Sequence, residues 1–151
     1  MRIIAGSSKG KTLFSPTGKT RPTSDRAREG LFSSLESEFG SMHDLNFLDL
    51  YSGSGAVGVE ALSRGATNVY AIEDHSPTAG IATKNFELVN NVSGKFQVIS
   101  TTAERFVSAA HQLAFYIIFM DPPYKEKKLS FLLNAITKLE LLNDGGVIII
   151  H

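Results

Sequence analysis

Two short stretches carry side chains suited to chemistry. Residues 119–124 read "FMDPPY", an apolar run that stops at an acid, two prolines and an aromatic, a combination favoured by neither helix nor strand. Asp121 supplies a carboxylate, Pro122 and Pro123 stiffen the loop so that its carbonyls hold position, and Tyr124 supplies a flat face for stacking. The second stretch, "DLYSGSGAVGVEAL", sets Gly53, Gly55 and Gly58 at GxGxxG spacing. Gly53 and Gly55 let the backbone turn tightly and approach a ligand, while a helix N-terminus behind them offers free N–H donors. The same spacing also fits a plain tight turn. Its place after a strand pattern and before a helical one points to a nucleotide-type ligand.

Glu73 lies twenty positions after Gly53, the distance at which an acid accepts both hydroxyls of a ribose. That spacing suits a dinucleotide and S-adenosylmethionine equally. Asp74 adjoins Glu73, with a solvated turn as the alternative for Asp74 and His75. "DPPY" separates the two cofactors. A methyl group leaves a sulfonium only toward an in-line nucleophile, and the exocyclic amine of a base is a poor one because its lone pair is conjugated with the ring. Asp121 and the Pro122 carbonyl can each accept one amine hydrogen and turn the lone pair toward the methyl, so catalysis needs placement rather than a strong base.

These loops need a frame. The runs "LNFLDL" (45–50), "NVYAIE" (68–73), "KFQVIS" (95–100), "FYIIFM" (115–120) and "GVIII" (146–150) read as strands separated by helical patterns. Such alternation predicts an α/β fold, a mostly parallel twisted sheet with helices on both faces, and its ligands bind where strand C-termini open into loops. "FYIIFM" and "GVIII" are apolar on both sides, as central strands should be. Before them, "SDRAREGLFSSLESEF" puts Ala27, Leu31, Leu35 and Phe39 on one helix face, capped by Thr23 or Ser24.

The chain has 151 residues, enough for one domain with a core. Its 15 cations and 15 acids balance, yet residues 1–30 hold seven cations against two acids. No cysteine is present, which excludes disulfides, thiolate zinc sites and a cysteine nucleophile. The four histidines show no ligand spacing, and no metal is expected. No apolar run approaches the roughly 20 residues that cross a bilayer, so the expectation is a cytoplasmic protein without a membrane partner.

"LDLYSGSGAVGVEALSRGA" with "FMDPPY" resembles the class I S-adenosylmethionine-dependent methyltransferases that modify exocyclic amines. With "RIIAGSSKGKTL" and "RPTSDRAREGLF" in order before them, the chain resembles the bacterial RsmD family from Arg2 to His151. The resemblance implies a Rossmann-like fold, S-adenosyl-L-methionine as cofactor, and methylation of a guanine N2 amine in 16S ribosomal RNA, of the guanine(966) type, within an assembling small subunit. It implies a single domain, with residues 1–40 as a basic RNA-contacting extension and helix and 41–151 as the cofactor-binding and catalytic core. Position by position, it assigns Asp121, Pro122, Pro123 and Tyr124 to catalysis. Asp49, Tyr51, Gly53, Ser54, Gly55, Glu73, Asp74, Thr102, Ala103 and Asp121 are assigned to the cofactor. Thr102 stands where such enzymes often carry Asp or Asn to contact the adenine. A full sheet of this class adds an antiparallel hairpin after its fifth strand, so the sequence implies that C-terminal strands are missing here.

The basic start has its own reading. "RIIAGSSKGKTL" suits a small hairpin with Gly6 and Gly10 near its turn and Arg2, Lys9 and Lys11 exposed, and "KTRPTSDRAR" brings Lys19, Arg21 and Arg26. Cations in one segment with small flexible neighbours suit phosphates of a folded RNA, a solvated basic surface being the alternative. Other classes stay open: an N-methyltransferase for another base, a nicotinamide-dependent dehydrogenase, and a non-catalytic RNA-binding or assembly protein.

Overall fold

The computed structural model describes residues 1–16, 23–89, 93–109, 112–123 and 128–151. Five parallel strands, β1 Asn46–Asp49, β2 Asn68–Glu73, β3 Lys95–Ser100, β4 Phe115–Met120 and β5 Leu142–Ile150, pair in the order β3-β2-β1-β4-β5. The helices are α1 Asp25–Phe39, α2 Ala56–Ser63, α3 Ser76–Glu87, α4 Ala103–Ala109 and α5 Leu129–Lys138. The chain runs outward from β1 to β3 and then returns to β4 on the other side of β1. The strand order therefore reverses between β1 and β4, where the crevice above the strand ends accepts ligands.

Alternate residues of the central strands feed two cores, as the period of two requires. Phe47, Val69, Ile117 and Phe119 pack with Phe32, Leu35, Val57, Leu62 and Phe86 of α1, α2 and α3. Leu48, Ile72, Ile118 and Met120 pack with Phe106, Val107, Leu132 and Ile136 of α4 and α5. Helices on both faces and a parallel sheet are as the alternating pattern implied.

Three elements differ from the local expectations. In α1 the buried residues are Arg28, Phe32 and Leu35, while Ala27, Leu31 and Phe39 are only half-buried, although Ser24 does cap the helix. Apolar periodicity could not see that Arg28 turns inward to Glu60 of α2 at 3.1 Å. β1 is shorter than 45–50 at both ends. β5 begins at Leu142, because Gly145 at φ +79 and a register shift opposite Phe115–Ile117 let the polar "NDGG" join the strand. β5 is not central either: among the described residues only β4 pairs with it, and its residues are half-buried or exposed.

Candidate active site

The turn between β1 and α2 is pinned on three sides. Leu50 N–H donates to the Phe119 carbonyl at 3.0 Å, Ser52 N–H to the Ile72 carbonyl at 2.9 Å, and Gly53 N–H to Glu73 Oε1 at 2.9 Å. Gly53 and Gly55 adopt φ of +54 and +84, the left-handed region in which glycine is least strained. Gly55 also has little room for a side chain, since a Cβ would lie 3.2 Å from both Ala82 and Phe86. The N-cap residue Gly55 has no side chain to cap α2, and of the first-turn N–H groups that of Gly58 is taken by Asp49.

The acids around this turn are perturbed by burial. Asp49 is buried, and desolvation lifts its carboxyl to about 7, against the N–H groups of Tyr51 and Gly58 that favour the charge, with Asp121 and Glu73 adding repulsion. Asp49 Oδ1 and Ser52 Oγ are buried without a hydrogen-bond partner among the described residues. Glu73 is also pushed above the usual carboxylate range by burial, against the N–H groups of His75 and Gly53. Each Glu73 oxygen accepts one backbone N–H, from Gly53 and from His75, and keeps a further lone pair.

A cavity of about 440 Å³ opens above the strand ends. Of the residues singled out in the sequence, Tyr51, Glu73, Asp74, Thr102, Ala103, Pro122 and Pro123 line it. Asp49 lies beneath the turn, and Gly53, Ser54 and Gly55 form the turn itself. Asp121 is one-third exposed at the end of β4, 3.5 Å from His151 Nδ1. Thr102 caps α4 by accepting from Arg105 N–H at 3.1 Å, which leaves its hydroxyl hydrogen to donate. Tyr124 lies outside the described residues. Ile72, Leu129 and Leu132 complete an apolar wall that a search for polar side chains passes over.

The basic start is placed unevenly. An antiparallel bridge joins Arg2 to Thr12, and Ile3 N–H donates to the Lys11 carbonyl, so the segment turns back on itself. Arg2, Lys9 and Arg26 are exposed. Lys11 is not: it is half-buried, and its ammonium donates to the Leu88 carbonyl at the end of α3 at 2.7 Å. Arg28 is fully buried and paired with Asp25 and Glu60, so it adds nothing to a basic surface. Lys19 and Arg21 lie outside the described residues.

Known proteins resemble this chain in sequence and fold. A family model described as "Conserved hypothetical protein 95" matches residues 1–151. "Putative rRNA methyltransferase YlbH" of Bacillus subtilis is 36% identical over 99% of this chain and 80% of its own length. "Ribosomal RNA small subunit methyltransferase D" of Escherichia coli is 35% identical over 97% of this chain and 68% of its own. The solved structure of "Putative methyltransferase yhhF from Escherichia coli" superposes with a TM-score of 0.80 at 30% identity, covering 95% of this chain and 75% of that one. The fold is thus Rossmann-like, of the methyltransferase kind.

Proposed function

The chain belongs to the family described as conserved hypothetical protein 95, the RsmD family whose motifs it carries, and from that premise we propose that it methylates small-subunit ribosomal RNA with S-adenosylmethionine. The finer reading is the N2 amine of a guanine, of the guanine(966) type, in an assembling subunit in the cytoplasm. The observation that supports it most is that Pro122 and Pro123, which follow Asp121 at the end of β4, line the same cavity as Glu73 and Thr102. The names of the relatives point the same way.

The residues present suit that cofactor. Two buried, unpartnered polar atoms at the turn, Asp49 Oδ1 and Ser52 Oγ, are suited to an ammonium group, and side-chain-free glycines admit the chain beside it. In this reading Asp49, Tyr51, Gly53, Ser54 and Gly55 hold the methionine end, Glu73 and Asp74 the ribose, and Thr102 and Ala103 the adenine. Bound there, S-adenosylmethionine supplies an electrophilic methyl carbon whose bond to sulfur breaks as its bond to nitrogen forms. Asp121 and the Pro122 carbonyl accept the two amine hydrogens and aim the lone pair. The proton shed by the nitrogen passes to water, which Asp121 reaches because it is one-third exposed. Tyr124 stacks on the base, drawn out of its helix or stack.

The test is transfer of a labelled methyl group into unmodified small subunits and bare RNA, followed by nucleoside analysis. N2-methylguanosine is expected. Methyladenosine or methylcytidine would remove the base assignment, and no transfer would remove the activity. Asp121→Ala should lower kcat about 10²- to 10³-fold while cofactor affinity persists; full turnover in that variant would take Asp121 out of the mechanism.

A further inference from the structure

Asn85 and Phe14 have no part in the chemistry above, yet their geometry is specific. Asn85, on α3, is fully buried. Its Oδ1 accepts from Phe14 N–H at 2.7 Å, and its Nδ2 donates to the Phe14 carbonyl at 2.9 Å and to the Ser54 carbonyl at 2.8 Å. The first two bonds are the pair that a neighbouring antiparallel residue would make, so one side-chain amide stands in for a strand partner. The third reaches the glycine turn. The N-terminal segment and the proposed cofactor loop therefore share a single rigid amide, and Lys11 secures the same segment to Leu88 nearby.

What this anchoring presents is a ring. Phe14 is 52% exposed although its backbone is fixed at both polar groups and Leu13 beside it is buried. An aromatic with two χ angles on a locked backbone loses little conformational entropy when something stacks on it. Exposed Arg2 and Lys9 lie on the same segment. An aromatic face and cations on one segment are the combination with which proteins hold unpaired bases with little regard to sequence.

We propose that Phe14 is a stacking platform for an unpaired base of the RNA substrate, and that Asn85 is the positioning residue that keeps it in register with the cofactor loop. This rests on the RNA reading above. The experiment measures RNA affinity, RNA KM and kcat, and calorimetric affinity for S-adenosylmethionine, in the wild type and in Phe14→Ala, Phe14→Leu and Phe14→Tyr. Phe14→Ala should raise RNA KM and Kd about tenfold. Leu, apolar but without a π-face, should resemble Ala; Tyr should stay close to wild type; cofactor affinity should not move in any of the three. Asn85→Ala should raise RNA KM and also weaken the cofactor, and in the Phe14→Ala background only the cofactor effect should remain. A structural role alone would not produce that split. An active wild type whose Phe14→Ala or Phe14→Leu variant keeps full RNA affinity overturns the platform, and it does so even if Asn85→Ala does not fold. Additive RNA effects of the two substitutions overturn the positioning role. A wild type that neither binds nor methylates ribosomal RNA overturns the proposed function itself.

Discussion

Glu60 and Asp49 flank the same glycine turn, both buried, and their surroundings are opposite. Glu60, at the far side of the turn in α2, receives Ile4 N–H at 2.9 Å, Ala5 N–H at 3.0 Å, Arg28 at 3.1 Å and Arg64 at 2.8 Å. Arg64 continues the network to Glu36 and lies over the Phe32 ring. Asp49 has only the Tyr51 and Gly58 N–H groups, one bare oxygen, and neighbouring acids. A buried charge is tolerable when its lone pairs are filled, and costly when they are not. The filled acid is architecture that ties the N-terminal segment and α1 to α2. The unfilled one fits a ligand that brings its own positive charge.

The sharpest way to break this contrast is to empty the filled site. Glu60→Ala leaves Arg28 buried beside a lost partner and frees two backbone N–H groups, and should cost about 3–5 kcal/mol in urea unfolding. A loss below about 1 kcal/mol would mean that the network is decoration.

Asp49→Asn tests the other side, with an expected drop of tenfold or more in affinity for S-adenosylmethionine, since a charge-assisted bond is lost. The pH dependence carries the sign. In the unfolded chain the carboxyl ionises near its ordinary value of about 3.9, and in the fold near 7, so between those values the folded state holds the extra proton. Stability therefore falls as pH rises through that window and levels off above 7, while cofactor affinity rises as Asp49 ionises. Both slopes should shrink in Asp49→Asn, with Glu73, also raised by burial, keeping its own share of the stability slope. If urea midpoints and calorimetric affinities of the variant keep the wild-type pH profiles, another group is responsible.

The smallest effect separates two lysines by the same logic. Lys9→Ala should reduce the slope of log RNA affinity against log salt by about one, because Lys9 is exposed. Lys11→Ala should change it less, because its ammonium is held by the Leu88 carbonyl. Equal changes would show that Lys11 lets go of Leu88 to meet a phosphate.

Much of the frame was legible because it is local. β2, β3 and β4 span the residues their apolar runs marked, β2 and β3 bounded by polar or glycine positions and β4 ended by Asp121 and the two prolines. The glycine turn followed from spacing, since two residues at positive φ in a strand-to-helix turn call for glycine. Gathering Tyr51, Glu73, Asp74, Thr102, Ala103, Pro122 and Pro123 around one cavity also followed, because parallel strands all end on the same edge. The face of α1 was not legible. A buried arginine breaks the apolar stripe, and its reason, Glu60, lies 32 residues away.

By itself, then, the sequence determined the strand and helix alternation, the two chemical loops and their shared edge, for these depend on short-range propensity and period. Only the tertiary structure decided which acids are filled, which cations are spent inside the fold, and that Asn85 joins Phe14 to Ser54 across separations of 71 and 31 residues. Hydrogen-bond partners of buried groups are chosen by packing between distant segments, and no spacing along the chain encodes them.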